Sequence, residues 1–367
     1  MGSKPVQHIR RLALTAMGGS TFIEIRQLNF MLNVISPAVA APIPARRICL
    51  APMLDWTDRH YRFFLRQITR HTFLYTEMVT TGAILHGDKA RFLDFSEVEH
   101  PVALQLGGSE PADLAACARL AQQWGYDEVN INVGCPSERV QSGAFGACLM
   151  EEPQLVADCV KAMRDAVSIP VTVKHRIGIN EVEHYEYLRD FVGTVADAGC
   201  EVFIAHARNA ILKGLSPKEN REVPPLKYDY VHRLKRDFPQ LEIIINGGLD
   251  NWQAVDEQLQ HVDGVMIGRM AYHDPYQFAE VDARYYGDEQ AVASRAEVAR
   301  ALMPYIAERM AAGRSQPKHI VRHVLGLFQG RPGARNWRRM LSDSKVLNGA
   351  GPELIEAALA EVEPVVA

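Results

Sequence analysis

Asn130-Ile131-Asn132-Val133-Gly134-Cys135-Pro136 is the stretch that decides how this chain of 367 residues folds. Amides alternate with branched aliphatics as in a strand, and Gly134 and Pro136 stop that strand where a sulfur sits. Asn132 is expected on the same side as the thiol. The small-residue run Ser142-Gly143-Ala144-Phe145-Gly146-Ala147-Cys148 follows, short enough in side chains to move over the strand tip. Free cysteine usually behaves as a small buried hydrophobe, and Cys49, Cys117, Cys148, Cys159 and Cys200 read that way. Cys135 differs because the strand delivers it to a tip.

Outward from this strand, short β-branched runs alternate with longer amphipathic ones between residues 47 and 286, the pattern of βα units on a parallel sheet. Strands are expected over 48–53, 73–79, 102–106, 128–133, 171–175, 202–207, 242–246 and 264–267. Helices are expected over 111–124, 153–166, 184–198 and 252–259. Eight units over roughly 240 residues match a (β/α)8 TIM barrel, whose chemistry collects at the C-terminal strand ends. A doubly wound sheet would carry a Gly-rich fingerprint after its first strand, and this one ends Ala51-Pro52-Met53-Leu54-Asp55. The fold class is therefore α/β, a barrel followed by an α-helical C-terminal domain.

In order, the tips carry Met53, Gln105, Asn132 with Cys135, Lys174 with Arg176, His206 with Arg208, Asn246-Gly247-Gly248, and Gly268-Arg269, converging on one mouth. Loops after strands seven and eight of such barrels often bind phosphate. There Gly247, Gly248 and Gly268 admit a close backbone approach, and Arg269 adds charge. A phosphate-bearing cofactor is expected at that end.

The chain has a net charge of -4 and 47% hydrophobic residues, as in an ordinary globular protein. Six cysteines without paired spacing suit reduced thiols and a cytoplasmic setting. No metal motif and no run long enough to span a bilayer is present, and nothing marks an obligate protein partner. Residues 1–43 read as a loose extension, with Met31 a possible alternative start. The barrel is expected over 44–288 and the helical domain over 289–367, with helices at 291–312, 317–329 and 334–341. Between Arg295 and Arg339 ten Lys or Arg stand against two acids, an excess that suits a polyanion. Arg335 and Arg338 share a helical face, and Trp337 between them would suit unstacked bases.

Taken together these residues resemble the tRNA-dihydrouridine synthases from about residue 44 to about 343. The resemblance rests on Ala51-Pro52-Met53, Leu104-Gln105-Leu106-Gly107-Gly108, Asn132-Val133-Gly134-Cys135-Pro136, Val173-Lys174-His175-Arg176, His206-Ala207-Arg208 and Asn246-Gly247-Gly248. Asp55-Trp56-Thr57-Asp58-Arg59-His60 and the run from Lys213 to Arg221 resemble the DusA subfamily. The resemblance implies FMN held by Pro52, Met53 and Leu54 under its ring, by Gln105, Lys174 and His206 along its polar edge, and by Asn246, Gly247, Gly248, Gly268 and Arg269 near its phosphate. It implies NADPH as reductant and tRNA as substrate, with Cys135 giving a proton to C5 of a D-loop uridine, U20 or U20a. It places Asn132 at the base, and Arg176, Arg208, Lys218, Arg221, Arg335 and Arg338 toward the tRNA. The Gly-rich run would close over the base and carry Cys135 inward.

Three rival readings follow from the residues. A dihydroorotate-dehydrogenase-like flavin enzyme leaves the basic helical domain unexplained. An aldolase-like barrel would use Lys174 as a Schiff-base lysine. An RNA-binding barrel would make Cys135 a packing residue.

Overall fold

The computed structural model describes residues 46–362 apart from Glu183, so the expected extension over 1–43 lies outside the described residues. Eight parallel strands alternate with helices: β1 (Ile48–Leu50), β2 (Leu74–Thr80), β3 (Val102–Gly107), β4 (Glu128–Val133), β5 (Val171–Arg176), β6 (Val202–His206), β7 (Glu242–Asn246) and β8 (Gly264–Ile267). Each strand pairs with its neighbours in chain order, and β1 pairs with β8. Leu50 N–H donates to Phe73 O at 2.8 Å and Phe73 N–H to Ile48 O at 2.9 Å, which closes the barrel between β1 and β2. The helices that follow the strands are α1 (Arg59–Arg66), α2 (Thr81–His86), α3 (Pro111–Gln123), α4 (Pro153–Ala166), α5 (Tyr185–Asp197), α6 (Tyr228–Asp237), α7 (Trp252–Gln258) and α8 (Val281–Tyr286).

Strand alternation sorts the side chains. On β4, Val129, Ile131 and Val133 face the helices in the main core, while Glu128, Asn130 and Asn132 alternate with them. The interior is divided. One part is an apolar cluster that includes Phe73, Tyr75, Val202, Ile204, Ile244 and Met266. The other is polar, with Gln105, Glu128, Asn130 and Thr172 all buried along β3 to β5. Branched aliphatics usually fill such a barrel, so a polar seam inside it calls for complete hydrogen bonding. At the floor, Arg46 Nε donates to Glu128 at 2.6 Å and Arg46 Nη1 to Glu242 at 3.0 Å.

The first strand is shorter than the expected 48–53. Ala51 N–H still bonds Ile267 O at 2.8 Å, but Pro52 has no N–H and Met53 O accepts from Trp56 and Thr57, so the chain turns. The other seven strands lie within one residue of their expected ends.

Beyond the barrel lie α9 (Arg295–Ala311), opened by a Ser294–Glu297 capping box, then α10 (Pro317–Val321), α11 (Ala334–Met340) and α12 (Leu354–Leu359). The helix expected over 317–329 stops at Val321 and continues as tight turns. Val324 O is engaged by Trp337 Nε1 at 2.9 Å and Leu327 O by Arg295 Nε at 2.9 Å, so side chains take acceptors that a continuous helix would use itself. Trp337 is 0% exposed against Phe328. The expectation that it would stack on unpaired bases is therefore wrong: Ala334, Trp337 and Leu341 form the buried face of α11, and only Arg335 and Arg339 of its arginines are fully exposed.

These helices grip the barrel at α1. Asp58 caps α1 through His60 N and Tyr61 N, and accepts from Arg322 Nη2 at 3.1 Å and His323 Nε2 at 3.0 Å. Asp94 receives Arg59, Arg309 and Arg314 together.

Candidate active site

Cys135 stands just past the tip of β4, half-buried, with its thiol donating to Ser137 Oγ at 3.5 Å. Asn132 Oδ1 accepts both Gly134 N–H, at 3.1 Å, and Cys135 N–H, at 2.9 Å. Residues three apart fall on opposite faces of a regular strand, so the shared side expected for them arises from this turn and not from alternation. Ala147 N–H fixes Cys135 O at 2.9 Å, and Gln141 Nε2 bridges Pro136 O at 2.8 Å and Leu212 O at 2.9 Å. The Gly-rich run is packed in this structure. A Cβ on Gly107 would lie 2.8 Å from the Phe145 ring, and one on Gly143 would lie 2.4 Å from it.

Lys174 lies beside Asn132 across β4 and β5 and donates from Nζ to Asn246 Oδ1 at 3.2 Å. Burial and the Arg176 charge push its ammonium down to about 7, against the pull of Cys135. His206 at the tip of β6 is held well below the usual histidine range by burial and by Arg176, Lys174 and Arg208, so its imidazole is neutral at neutral pH. Gly247 and Gly248 both take positive φ, 112° and 70°, and a Cβ on Gly247 would lie 2.7 Å from His206 Cδ2. Only glycine fits that turn.

Three guanidiniums crowd the tips of β6 to β8. Arg208 Nη1 donates to the carbonyls of Glu222 and Pro224, and Arg208 Nε is buried without a partner. Arg269 pairs with Glu222 at 2.7 Å. Arg221 is lowered by burial and by Arg269, and Arg208 is lowered by burial with Arg269 opposing its charge. Glu222 forms its ion pair with Arg269 and lies near Arg208 and Arg221 as well, so cations outnumber it, an excess that an anion would neutralise.

Arg176 does not lie open to a substrate as expected. It is buried, donating from Nε to Gly134 O at 3.1 Å and from Nη1 to Asn209 O and Asn220 O at 3.1 and 3.0 Å. It braces the Cys135 turn against the loop after β6, and burial lowers it to about 10. Pro52 and Met53 are half-buried at the mouth, whereas Leu54 is 74% exposed and touches no core. Lys218 is exposed on the surface loop beside the Glu219–Arg221 turn. Arg335 is exposed on α11, away from the barrel tips in sequence, and Arg338 donates to Gln329 Oε1 at 3.2 Å. Among the described residues no group of three or more His, Cys, Asp or Glu could hold a metal ion, and no helix is long and apolar enough to cross a membrane.

Gln105, Asn132, Lys174, His206, Asn246 and Cys135 are thus one constellation. The sequence reading missed the buried groups beneath it, Glu128, Asn130 and Thr172. Their signal was present as polar residues at every second position inside an otherwise apolar strand.

Residues 49–363 match the family model described as Dihydrouridine synthase (Dus). A curated relative from Pseudomonas aeruginosa is 62% identical over 306 residues, covering 83% of this chain and 92% of its own. One from Synechocystis is 59% identical, covering 85% of this chain and 93% of its own. One from Escherichia coli is 60% identical, covering 86% and 95%. All three bear the name tRNA-dihydrouridine(20/20a) synthase.

Proposed function

The chain belongs to the dihydrouridine synthase family, and from that membership and the mouth's geometry we propose that it reduces the C5=C6 bond of D-loop uridines in tRNA, U20 and U20a, to 5,6-dihydrouridine. The observation that carries the chemistry is the half-buried Cys135 thiol, its backbone held by Asn132 at the mouth of the barrel.

The family is flavin-dependent, and FMN is the form that the residues present fit. The Arg269 guanidinium at the tip of β8 suits a phosphate, and the positive-φ turn at Gly247 and Gly248 lets backbone approach it. Lys174, Gln105 and His206 supply donors for the polar edge of a ring, with Met53 and Pro52 beside them. When bound and reduced by NADPH, the flavin supplies the hydride that C6 receives.

The chain's own residues do the rest. Asn132 orients the flipped base, since an enzyme acting on a stacked base must take it out of the stack. Cys135 Sγ–H gives its proton to C5 and recovers one from solvent. A thiol suits this role because its S–H can donate a proton and be recharged from water at the mouth. Arg176 keeps the Cys135 turn in place, a bracing role. Arg208 and Arg221, with exposed Lys218 and Arg335 and half-buried Arg338, would meet phosphates of the tRNA. Residues 44–288 serve as the catalytic barrel and 289–367 as the tRNA-binding domain, in a cytoplasmic enzyme.

Cys135→Ala tests the reading with NADPH and unmodified tRNA. Losing a general acid lowers turnover by about 10²- to 10⁴-fold while flavin stays bound. Unchanged turnover, or activity on dihydroorotate and none on tRNA, overturns it.

A further inference from the structure

Beneath Asn132 a chain of hydrogen bonds runs down the barrel, and its direction is fixed at the bottom. Glu128 is fully buried; its Oε2 takes Arg46 Nε at 2.6 Å, and its Oε1 takes Tyr75 OH at 2.8 Å and Thr172 OH at 2.5 Å. A carboxylate only accepts, so the Thr172 hydroxyl must give its single proton downward. Its oxygen is then an acceptor, and Asn130 Nδ2 donates to it at 2.8 Å. Asn130 must therefore turn its oxygen to Gln105, whose Nε2 donates at 2.8 Å. Gln105 Oε1 faces Asn132, whose Nδ2 donates at 2.8 Å. At the top, Asn132 Oδ1 takes Gly134 and Cys135 N–H.

Both ends demand the same polarity. A carboxylate at the floor requires donors from above, and two backbone N–H groups at the tip require an acceptor from below. Reversing any one amide would set N–H against N–H or oxygen against oxygen in a site without bulk water, where unmet polar groups are costly. Glu128, Asn130 and Thr172 are 0% exposed and Gln105 is 1% exposed, so solvent cannot repair a break.

We propose that Glu128, Thr172 and Asn130 are positioning residues that set the amide polarity of Gln105 and Asn132 and so fix both the Cys135 turn and what Asn132 offers a base. Both lone pairs of Asn132 Oδ1 are engaged, so the one group it has left is an N–H. The partner it recognises must present an acceptor, as uracil does at both carbonyls, and an exocyclic amine at that point is refused. The identity of the base rests on the proposed function; the polarity of the chain does not.

Thr172→Val keeps the branched shape and deletes only the hydroxyl link. Hydrogen–deuterium exchange of the full-length protein is read on the peptide spanning 132–137, beside kcat and KM on unmodified tRNA. The expected result is exchange of the Gly134 and Cys135 amides about tenfold faster and kcat lower by about tenfold, with KM within about twofold, as for small misplacements of reacting groups. Thr172→Ser restores both. Asn130→Leu keeps a similar volume, removes the donor to Thr172 and the acceptor facing Gln105, and carries the same expectation should the valine variant fail to fold. Wild-type exchange and turnover in these variants overturn the relay, as does a serine variant as impaired as the valine one, which would make the position a packing site. If wild-type protein leaves tRNA unmodified, the proposed function falls, while the exchange experiment still judges the relay.

Discussion

Lys174→Met removes a buried cation and so separates what this side chain does for the fold from what it does for the site. Burial and Arg176 lower the ammonium from its ordinary 10.5 to about 7, a difference worth about 5 kcal/mol at 1.36 kcal/mol per pH unit. Lys174 keeps partial access to the mouth, so screening and relaxation reduce this to about 3 kcal/mol. The variant also loses the hydrogen bond to Asn246, worth about 1 kcal/mol, leaving a net gain of about 2 kcal/mol. An unfolding entropy of about 2.1 cal/mol/K per residue over about 320 residues converts that gain to about 3 °C in Tm.

The pH dependence gives the decisive sign. Between about 7 and 10.5 the unfolded chain holds the Lys174 proton and the folded chain has released it, so the stability of flavin-free wild type rises with pH across that window. Below pH 7 both states are protonated and the full penalty stands. Scanning calorimetry of flavin-stripped protein should therefore show the methionine variant more stable at pH 6, with the gap closing toward pH 10. A gap that is absent at pH 6, or that widens with pH, refutes the reasoning. With flavin loaded, the same variant should lose at least tenfold in turnover if Lys174 serves the site as proposed.

Four further outcomes are expected. Trp337→Ala should cost about 3–5 kcal/mol in denaturant unfolding, because that ring is wholly buried. Arg335→Ala should leave stability within about 0.5 kcal/mol and lower the salt slope of tRNA binding by about 1; an unchanged slope makes it a solvated charge. Asp58→Asn keeps the cap on α1 and loses the anion facing Arg322 and His323, costing about 1.5–3 kcal/mol at neutral pH. Because hydrogen bonds hold the Asp58 carboxyl well below its ordinary range despite its burial, that difference should shrink as pH falls through the acid range, and a constant difference argues against the ionic contact. Arg46→Met should cost about 3–5 kcal/mol by leaving Glu128 charged and unpaired; chemical unfolding of Arg46→Met/Glu128→Leu should recover much of it, and no recovery would deny the pair its role.

The barrel was legible because its strands bury both faces, and their apolar runs are bounded by turn residues. The bounds expected for β4, β7 and β8 match those observed. The tips were legible for the same reason, since strand ends place Asn132, Lys174, His206 and Asn246 without knowledge of any contact. What escaped depended on distant partners. The basic excess between Arg295 and Arg339 contains Arg300 paired with Glu356, Arg309 and Arg314 with Asp94, and Arg322 with Asp58, pairings that no local pattern announces. Trp337 was open to a better reading. Ala334, Trp337 and Leu341 recur at i, i+3 and i+7, the spacing of a buried face, which outweighs the arginines on either side.

Charge is segregated within this acidic chain. The barrel floor sets Glu128 and Glu242 against Arg46, whereas the mouth gathers Lys174, Arg176, Arg208, Arg221 and Arg269, of which Arg269 pairs with Glu222. A net charge of -4 therefore gives no guide to the site. Lys174, Arg176, Arg208 and Arg221 all lie below their ordinary values, chiefly through burial and then through neighbouring cations, so the mouth favours the entry of an anion. That is why removing a cation should stabilise the ligand-free protein while harming the loaded one. Under the proposed function, a phosphate-bearing cofactor and a polyanionic substrate would both lower the cost of these charges, provided that their phosphates occupy different cations. Of these cations Lys218 stands apart, exposed on the loop after β6, whereas Arg221 lies near enough to Arg269 at the tip of β8 to be lowered by its charge.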